Sequence, residues 1–251
     1  MKTSDSSSDQ NAAKFVWQHD DVFDRIASRY DVLCDVFSLG IHRLWKRRVA
    51  KQIASEEWNT LLDGATGTGD VILRVLSIAS TKERTIVASD VSVKMLAIAK
   101  RRLNAFPMAV SFSQLDAENM PSIPSASVDA YSISLGLKIC NRGLAIQEAL
   151  RVLKPGGRLI ILETSSIPWK PLNAAYLAYM SVCTPVLGWL ATGGDASAYK
   201  YLLHGIREFP TAEAFALELA DAGFQHVAFE RLSLGIVAIH TARKALLASD
   251  A

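Results

Sequence analysis

A short stretch at residues 61–70 constrains the fold of this chain more than any other part of its sequence. It begins as an apolar strand and leads into a helix that starts near Val71, with Gly67 and Gly69 in the turn between them. Glycine lacks a Cβ, so the backbone can turn sharply and a ligand can approach it closely. The start of the following helix would offer free N–H groups and a positive dipole end. The stretch therefore predicts a nucleotide-like ligand, although a G-x-G pattern alone is a weak signal.

Acidic residues flank this turn. Asp63 precedes it, Asp70 follows it, and the next predicted strand ends at Asp90, about twenty residues on, where doubly wound folds bind ribose hydroxyls. Carboxylates at these positions suit a ligand that carries a ribose and an amino acid, and they would repel a diphosphate. The sequence therefore predicts S-adenosylmethionine as the cofactor, with a dinucleotide or a loop without a ligand as the alternatives. The cofactor-binding residues expected around the turn and on the next helix are Asp63, Gly67, Gly69, Asp70, Asp90 and Met95.

Strands and helices alternate from residue 60 onwards. We predict strands at 60–65, 85–90, 109–115, 128–134 and 158–163, and helices at 71–79, 92–103 and 144–153. A helix over 211–223 and a hairpin of strands 225–231 and 235–241 follow. This alternation predicts an α/β fold with a mostly parallel, seven-stranded sheet and helices on both faces. Ligands bind at the carboxyl ends of such strands, where Asp63, Asp90, Asp116 and Ser134 fall.

The segment Lys154-Pro155-Gly156-Gly157 predicts a turn before the fifth strand. Proline cannot continue the preceding helix, and glycine adopts positive φ without strain. We therefore expect that strand to begin only at Arg158.

Two helical segments outside the alternation predict a small cap. Residues 22–54 have helical spacing that breaks at 38–40, and the second helix, 41–53, would turn Leu44, Trp45 and Val49 inward. Its outward residues are the basic side chains Arg43, Lys46, Arg47, Arg48 and Lys51. This basic run indicates either a solvated face or a contact with anionic lipid headgroups.

Residues 171–194 carry no charged side chain and are numerous enough to span a bilayer. The polar residues among them, and Pro185 in the middle, favour two short helices instead. We expect these helices to cover an apolar substrate and to allow contact with a membrane surface. The predicted organisation is a disordered tail at 1–20 and a single domain at 21–251, with a helical N-terminal cap at 21–57 and a cap insertion at about 168–208.

Composition excludes several classes of protein. The net charge of +2 is too small to indicate a basic surface that binds nucleic acid. The three cysteines and the scattered histidines lack metal-ligand spacing, so no metal site is expected. An odd, sparse set of cysteines and a polar N-terminus without an apolar core favour the reducing cytoplasm, with peripheral membrane contact as an option. The sequence leaves open whether the chain forms a homodimer.

Several motifs resemble those of one family, the UbiE-type ubiquinone/menaquinone biosynthesis C-methyltransferases. They lie at 23–31, 38–46, 66–70, 151–157, 195–202 and 232–240, so the resemblance covers roughly residues 22–242. It implies a Rossmann-like class I methyltransferase fold and methyl transfer from S-adenosylmethionine to a ring carbon of a polyprenylated quinol. It also implies cofactor contacts at Thr68, Asp90, Asp116, Ala117 and Ser134.

The chain departs from this family on the acceptor side. Lys138 stands where the family has an arginine, and Cys34 where it usually has an asparagine. These departures keep two alternatives open: a methyltransferase for another small aromatic or phenolic acceptor, and a non-catalytic cofactor-binding subunit of a biosynthetic complex. The expected base, or cation that stabilises a phenolate, is sought among Lys138, His42 and Tyr201. The expected substrate-binding residues are Tyr30, Asp31, Asp195 and Tyr199.

Overall fold

A computed structural model of the chain describes residues 24, 27–79, 84–106, 110–192 and 197–246, with the backbone alone for 184, 185, 187–192 and 197–202. Its centre is one seven-stranded sheet in the order β3-β2-β1-β4-β5-β7-β6. The strands are β1 (Thr60–Asp63), β2 (Thr85–Asp90), β3 (Val110–Gln114), β4 (Val128–Ser134), β5 (Leu153–Thr164), β6 (Phe224–Leu232) and β7 (Val237–Lys244). The first five pair in parallel, and β7 pairs antiparallel with both β5 and β6. The predicted mostly parallel sheet and its closing hairpin are confirmed.

Eight α-helices surround this sheet in the described part of the chain. They are α1 (Tyr30–Ser38), α2 (His42–Ala54), α3 (Asp70–Ile78), α4 (Val93–Arg102), α5 (Arg142–Val152), α6 (Lys170–Thr192), α7 (Ser197–Glu208) and α8 (Ala212–Asp221). Ser92 caps α4 as expected, because its hydroxyl accepts a hydrogen bond from Met95 N at 3.1 Å. The expected disordered tail at 1–20 lies outside the described residues.

Two hydrophobic clusters lie on opposite faces of the sheet. One contains Val49 and Ile53 of α2 together with Ile72 and Val75 of α3. The other contains apolar residues of α5 and α8, among them the fully buried Phe215. Burial on both faces explains why the inner strands are apolar at nearly every position, as parallel strands covered by helices require.

The prediction of a turn at residues 154–157 was wrong. Strand β5 already begins at Leu153, which pairs with Val128, and the register shifts before pairing resumes between Arg158 and Ala130. Gly156 adopts a φ of 74°, so the segment bends locally while it stays beside its neighbouring strand. An ion pair between Lys154 Nζ and Asp129 Oδ1, at 2.7 Å, also joins the segment to β4.

The prediction of two short helices in the uncharged stretch was also wrong, because α6 continues from Lys170 to Thr192. Its side chains at Tyr176, Leu177 and Met180 pack with Phe37 of α1 and with residues of α7. Tertiary packing between three helices therefore supports a longer helix than the local sequence favours. Among the described residues, no helix combines the length and apolarity that crossing a membrane requires.

Helix α2 is rotated relative to the prediction. Its buried face carries His42, Lys46, Val49, Ala50 and Ile53, whereas Leu44 is exposed. The expectation that Lys46 points outward and Leu44 inward was wrong. Lys46 is buried because its ammonium pairs with Asp70 at 3.4 Å, which compensates the charge.

Candidate functional site

The glycine turn after β1 has the geometry expected of a ligand-binding loop. Gly67 and Gly69 adopt φ values of 55° and 83°, which favour glycine strongly. The Asp90 carboxylate, at the end of β2, holds the turn: its Oδ2 accepts a hydrogen bond from Gly67 N at 2.8 Å, and its Oδ1 accepts one from Ser92 N at 2.9 Å. Asp90 therefore joins the loop to the second strand.

A cavity of about 560 Å³ opens beside this loop, at the carboxyl ends of the strands. This volume includes the open solvent at the mouth of the cavity. Its lining residues are Tyr30, Gly64, Ala65, Gly67, Asp90, Val91, Met95, Asp116, Ala117, Ser134, Leu135, Gly136, Ile139 and Cys140. Two of them are acidic, and none of these described lining residues carries a basic side chain.

The wall beside β4 contains a buried polar atom without a partner. Ser134 Oγ is shielded from solvent and has no hydrogen-bond partner among the described residues. The next residue, Leu135, adopts a φ of 58°, and its N–H donates to Leu162 O at 2.7 Å. Positive φ is costly for a non-glycine residue and tends to occur at functional sites. A ligand that supplies a partner for Ser134 would fit this wall.

Seven of the residues predicted from the sequence lie together in the cavity wall: Tyr30, Gly67, Asp90, Met95, Asp116, Ala117 and Ser134. The other predicted residues with described side chains lie behind the wall. Sequence reasoning missed Leu135, Ile139 and Cys140, because none of them carries a charged or strongly polar side chain.

Asp63 lies directly beneath the loop. Its side chain is buried, and it accepts hydrogen bonds from Ser132 Oγ at 2.6 Å and Thr66 Oγ1 at 2.8 Å. Burial raises the pKa of Asp63 against these two hydrogen bonds, which lower it. Asp63 is not among the residues that line the cavity, so its position suits support of the loop better than contact with a cofactor.

An ionic network behind the loop joins α1, α2, α3 and α4. Thr68 Oγ1 donates to Asp31 Oδ1 at 2.7 Å, and Arg102 Nη1 lies 2.8 Å from Asp31 Oδ2. Arg102 and Lys46 each approach Asp70 at 3.4 Å. Burial raises the pKa of Asp70, but the surrounding cations outweigh it, so the net shift is downward. Thr68, Asp31, Gly69 and Asp70 thus lie outside the cavity wall and stabilise the loop from behind.

Sequence reasoning missed Arg102 and Lys46 in this network. A signal for Lys46 was present, since it occupies the helical face shared by His42, Val49 and Ile53. A charged residue on an apolar helical face calls for a buried partner. Arg102 offered no comparable signal, because it ends a run of three basic residues that resembles a solvated helix terminus.

Lys138 lies in a short 3₁₀ turn, Leu137–Ile139, between β4 and α5. Its ammonium forms an ion pair with Glu163 Oε1 at 3.2 Å and donates to Leu135 O, and its side chain is 5% exposed. Its backbone N–H donates to Glu163 Oε2 at 3.0 Å. Helix α7 approaches closely at Gly205, where a Cβ would lie 2.8 Å from Lys138 O. The side chain therefore points behind the wall, although Ile139 and Cys140 beside it line the cavity.

The remaining predicted residues lie away from the cavity wall, or their side chains are outside the part of the chain that the structure describes. His42 is buried at the start of α2, where its Nδ1 lies 2.8 Å from Ser38 Oγ, and burial lowers its pKa. This environment favours a structural role for His42. Asp195 lies outside the described residues, as do the side chains of Tyr199 and Tyr201, whose backbone belongs to α7.

Tyr30, which lines the cavity, interacts with Cys34 one helical turn further along α1. The Cys34 thiol, followed by burial, raises the pKa of Tyr30. Burial in turn raises the pKa of the Cys34 thiol. Both groups are therefore expected to be neutral near pH 7. The charged groups of the described cavity wall are then the carboxylates of Asp90 and Asp116.

A family model matches residues 9–244 and is described as the ubiE/COQ5 methyltransferase family. This match covers most of the 251 residues. The chain belongs to the ubiE/COQ5 methyltransferase family. The expected family and its methyltransferase activity are confirmed.

Curated relatives agree with this assignment over nearly the whole chain. A Roseobacter denitrificans protein named ubiquinone/menaquinone biosynthesis C-methyltransferase UbiE is 38% identical over 226 residues, which cover 89% of each chain. A mitochondrial Schizosaccharomyces pombe protein named 2-methoxy-6-polyprenyl-1,4-benzoquinol methylase is 36% identical and covers 89% of this chain and 78% of its own.

Solved structures share the fold at low sequence identity. A Thermotoga maritima S-adenosylmethionine-dependent methyltransferase, described as a possible histamine N-methyltransferase, is 19% identical with a TM-score of 0.62, over 90% of this chain and 99% of its own. The CurJ carbon methyltransferase is 15% identical with a TM-score of 0.64, over 97% of this chain and 72% of its own. The class I methyltransferase fold is confirmed, and with the family it confirms S-adenosylmethionine as the cofactor.

Proposed function

We propose that this member of the family transfers a methyl group from S-adenosylmethionine to a ring carbon of a polyprenylated quinol in ubiquinone or menaquinone biosynthesis. The names of the curated relatives support this substrate class. The structural observation that carries the proposal is the cavity, with Asp90 and Asp116 in otherwise largely apolar walls. Acidic and apolar walls without a described basic side chain suit a nucleoside that bears a positive charge, and they suit a dinucleotide diphosphate poorly.

The cofactor, when bound, supplies a methyl group already activated on a positively charged sulfur. Asp90 would accept hydrogen bonds from ribose hydroxyls, while its contact with Gly67 holds the loop against the nucleoside. Asp116 would bind a polar edge of the base, and Met95 and Ala117 would pack on its apolar faces. Ser134 Oγ would gain the hydrogen-bond partner that it lacks among the described residues.

Alignment of the acceptor ring with the methyl group is the main contribution left to the protein. Tyr30 lines the cavity and would contact the acceptor, with Asp195, Tyr199 and Tyr201 as further candidates. We propose that Lys138 is a positioning residue, because its pair with Glu163 fixes the turn whose next residue, Ile139, lines the wall. Attack by a ring carbon is easiest from the phenolate form of the quinol.

We propose that the prenyl tail lies on exposed apolar side chains of the cap, Tyr179, Val182 and Val186 of α6. Phe37 of α1 packs with Tyr176, Leu177 and Met180 of α6, and with Leu203 of α7. Each methylene removed from water would add about 0.8 kcal/mol of binding free energy. A long isoprenoid would therefore be stabilised by lying along the exposed apolar face of α6.

An acceptor assay tests the proposal. The purified protein would be incubated with labelled S-adenosylmethionine and, separately, demethylmenaquinol, a polyprenyl methoxybenzoquinol and unprenylated phenols. We expect label on a ring carbon of a prenylated quinol, and much less with Asp90→Ala, the control with a weakened cofactor site, at cofactor concentrations near the Kd of the unmodified chain. Label only on unprenylated phenols would contradict the proposed substrate class. Failure to bind S-adenosylmethionine would contradict the proposed methyl transfer.

A further inference from the structure

The N-terminal helix pair exposes a row of large apolar side chains. Val32 and Val36 lie one helical turn apart on α1, and Leu39, 80% exposed, follows in the turn to α2. Leu44, 65% exposed, lies one turn beyond Ile41 and donates its N–H to Ile41 O at 2.9 Å. Most apolar residues of this size are buried in a folded domain, so their grouping here indicates an interaction surface.

Basic residues continue this surface along α2. Arg47, Arg48 and Lys51 follow Leu44 at spacings of three, four and seven residues, which places them on the same helical face. Arg48 pairs with Glu230 at 3.0 Å. Arg47 and Lys51 are exposed and form no ion pair with any residue that the structure describes. We call Val32, Val36, Leu39, Ile41, Leu44, Arg47 and Lys51 together the α1–α2 surface.

The opposite side of α1 faces the cavity and the cap. Tyr30 lines the cavity, Leu33 packs against Met95, and Phe37 packs against Met180. At 1.5 Å per residue, the nine rises between Tyr30 and Leu39 span only about 13 Å. One helix therefore carries an inner face at the site and an outer face at the α1–α2 surface.

We propose that the α1–α2 surface binds the face of a bilayer that contains anionic phospholipids. Exposed apolar side chains lie beside Arg47 and Lys51, which have no ion pair among the described residues. They match the two zones of a membrane surface, since the former can enter the acyl boundary while the latter contact headgroup phosphates. This inference rests on the proposed function for its purpose, because a polyprenylated quinol resides in the bilayer and must be taken from it. The short path along α1 would bring the cavity close to that source.

Vesicle sedimentation tests the surface with the full chain. Vesicles of phosphatidylcholine alone would be compared with vesicles that also contain phosphatidylglycerol. We expect partition only onto the anionic vesicles, weakened by added salt because the Debye length shrinks. Each basic residue near an anionic surface contributes about a fivefold factor, so Arg47→Gln/Lys51→Gln should weaken partition up to about 30-fold.

Matched substitutions distinguish binding through the α1–α2 surface from a general loss of exposed apolar or basic side chains. Leu44→Ser should weaken partition, whereas Leu217→Ser should not, since Leu217 is also 65% exposed but lies on α8, at the opposite face of the sheet. The charge control is Lys100→Gln/Arg101→Gln, which removes two exposed basic residues of α4. We expect partition of this control to match that of the unmodified chain.

Equal partition of the unmodified chain and both α2 variants would overturn the proposal, and so would equal binding to neutral vesicles. If the chain ignores vesicles while Leu44→Ser changes its mass in sedimentation equilibrium, the surface is an interface between two copies instead. A short-tailed quinol in solution separates the two proposals. The α2 variants should methylate it normally, and loss of activity by every form would contradict the proposed function without altering the vesicle result.

Discussion

Replacing Lys138 with Met should lower the free energy of unfolding by about 3 kcal/mol. The two side chains of the Lys138–Glu163 pair are 5% and 0% exposed, and their charged atoms lie 3.2 Å apart. Removing one partner of a buried ion pair typically costs about 3–5 kcal/mol, because the other charge stays buried without compensation. The lower end applies here, since Glu163 keeps the backbone donors Lys138 N at 3.0 Å and Thr164 N at 2.7 Å.

Neutralising Glu163 in the Lys138→Met variant should restore part of the lost free energy of unfolding. In Lys138→Met/Glu163→Gln no uncompensated carboxylate is left beside residue 138, so the double variant should be more stable than Lys138→Met by about 2 kcal/mol. Glutamine retains the size of the side chain and one acceptor oxygen for Thr164 N. The matched control is Lys154→Met, because the Lys154–Asp129 pair is 39% and 23% exposed and should cost less than about 1 kcal/mol.

Urea unfolding of the unmodified chain and the three variants, followed by circular dichroism, measures these differences. With a slope of about 3 kcal/mol per molar urea for a chain of this size, the Lys138→Met midpoint should fall by about 1 M. A midpoint within about 0.3 M of the unmodified chain, or a double variant no more stable than Lys138→Met, would refute the assignment of a stabilising buried pair. Turnover measured on the folded fraction should then fall more than cofactor affinity, since Lys138 fixes the wall beside Ile139.

Two further predictions concern the cofactor and pH. Asp90→Ala should weaken S-adenosylmethionine binding about 30-fold, the value of a lost charge-assisted hydrogen bond pair, and calorimetry that returned an unchanged Kd would remove Asp90 from the site. Burial lowers the pKa of His240, whose Nε2 lies 2.9 Å from Ala212 O. His240 therefore binds a proton more readily in the unfolded chain than in the folded one. The stability that neutral His240 provides is present above about pH 6.5. Below this pH the free energy of unfolding falls by up to about 1.4 kcal/mol per pH unit. The same decline in His240→Phe, monitored by urea unfolding at several pH values, would mean that other groups carry it.

The loop, the alternation and the strand ends could be predicted because each depends on local chemistry. The strand over 128–134 was predicted to the residue, and Gly67 and Gly69 adopt the positive φ that their turn requires. Asp90 and Ser134 are the last residues of largely apolar strands, so any parallel sheet brings them to the same carboxyl edge. Predictions failed where neighbours changed the outcome: β5 absorbs Gly156 as a bend, and α6 continues past a proline.

The amino-acid sequence by itself determined the order of strands and helices, the ligand loop and the family, because hydrophobic period, glycine and motif residues act over short distances along the chain. Tertiary structure alone decided which charges are buried together. Lys46, Asp70 and Arg102 come from three different helices, and Lys138 and Glu163 from two segments that only the sheet places side by side. A buried charge is tolerated only beside its partner, and that partner is known only once the helices and strands have packed.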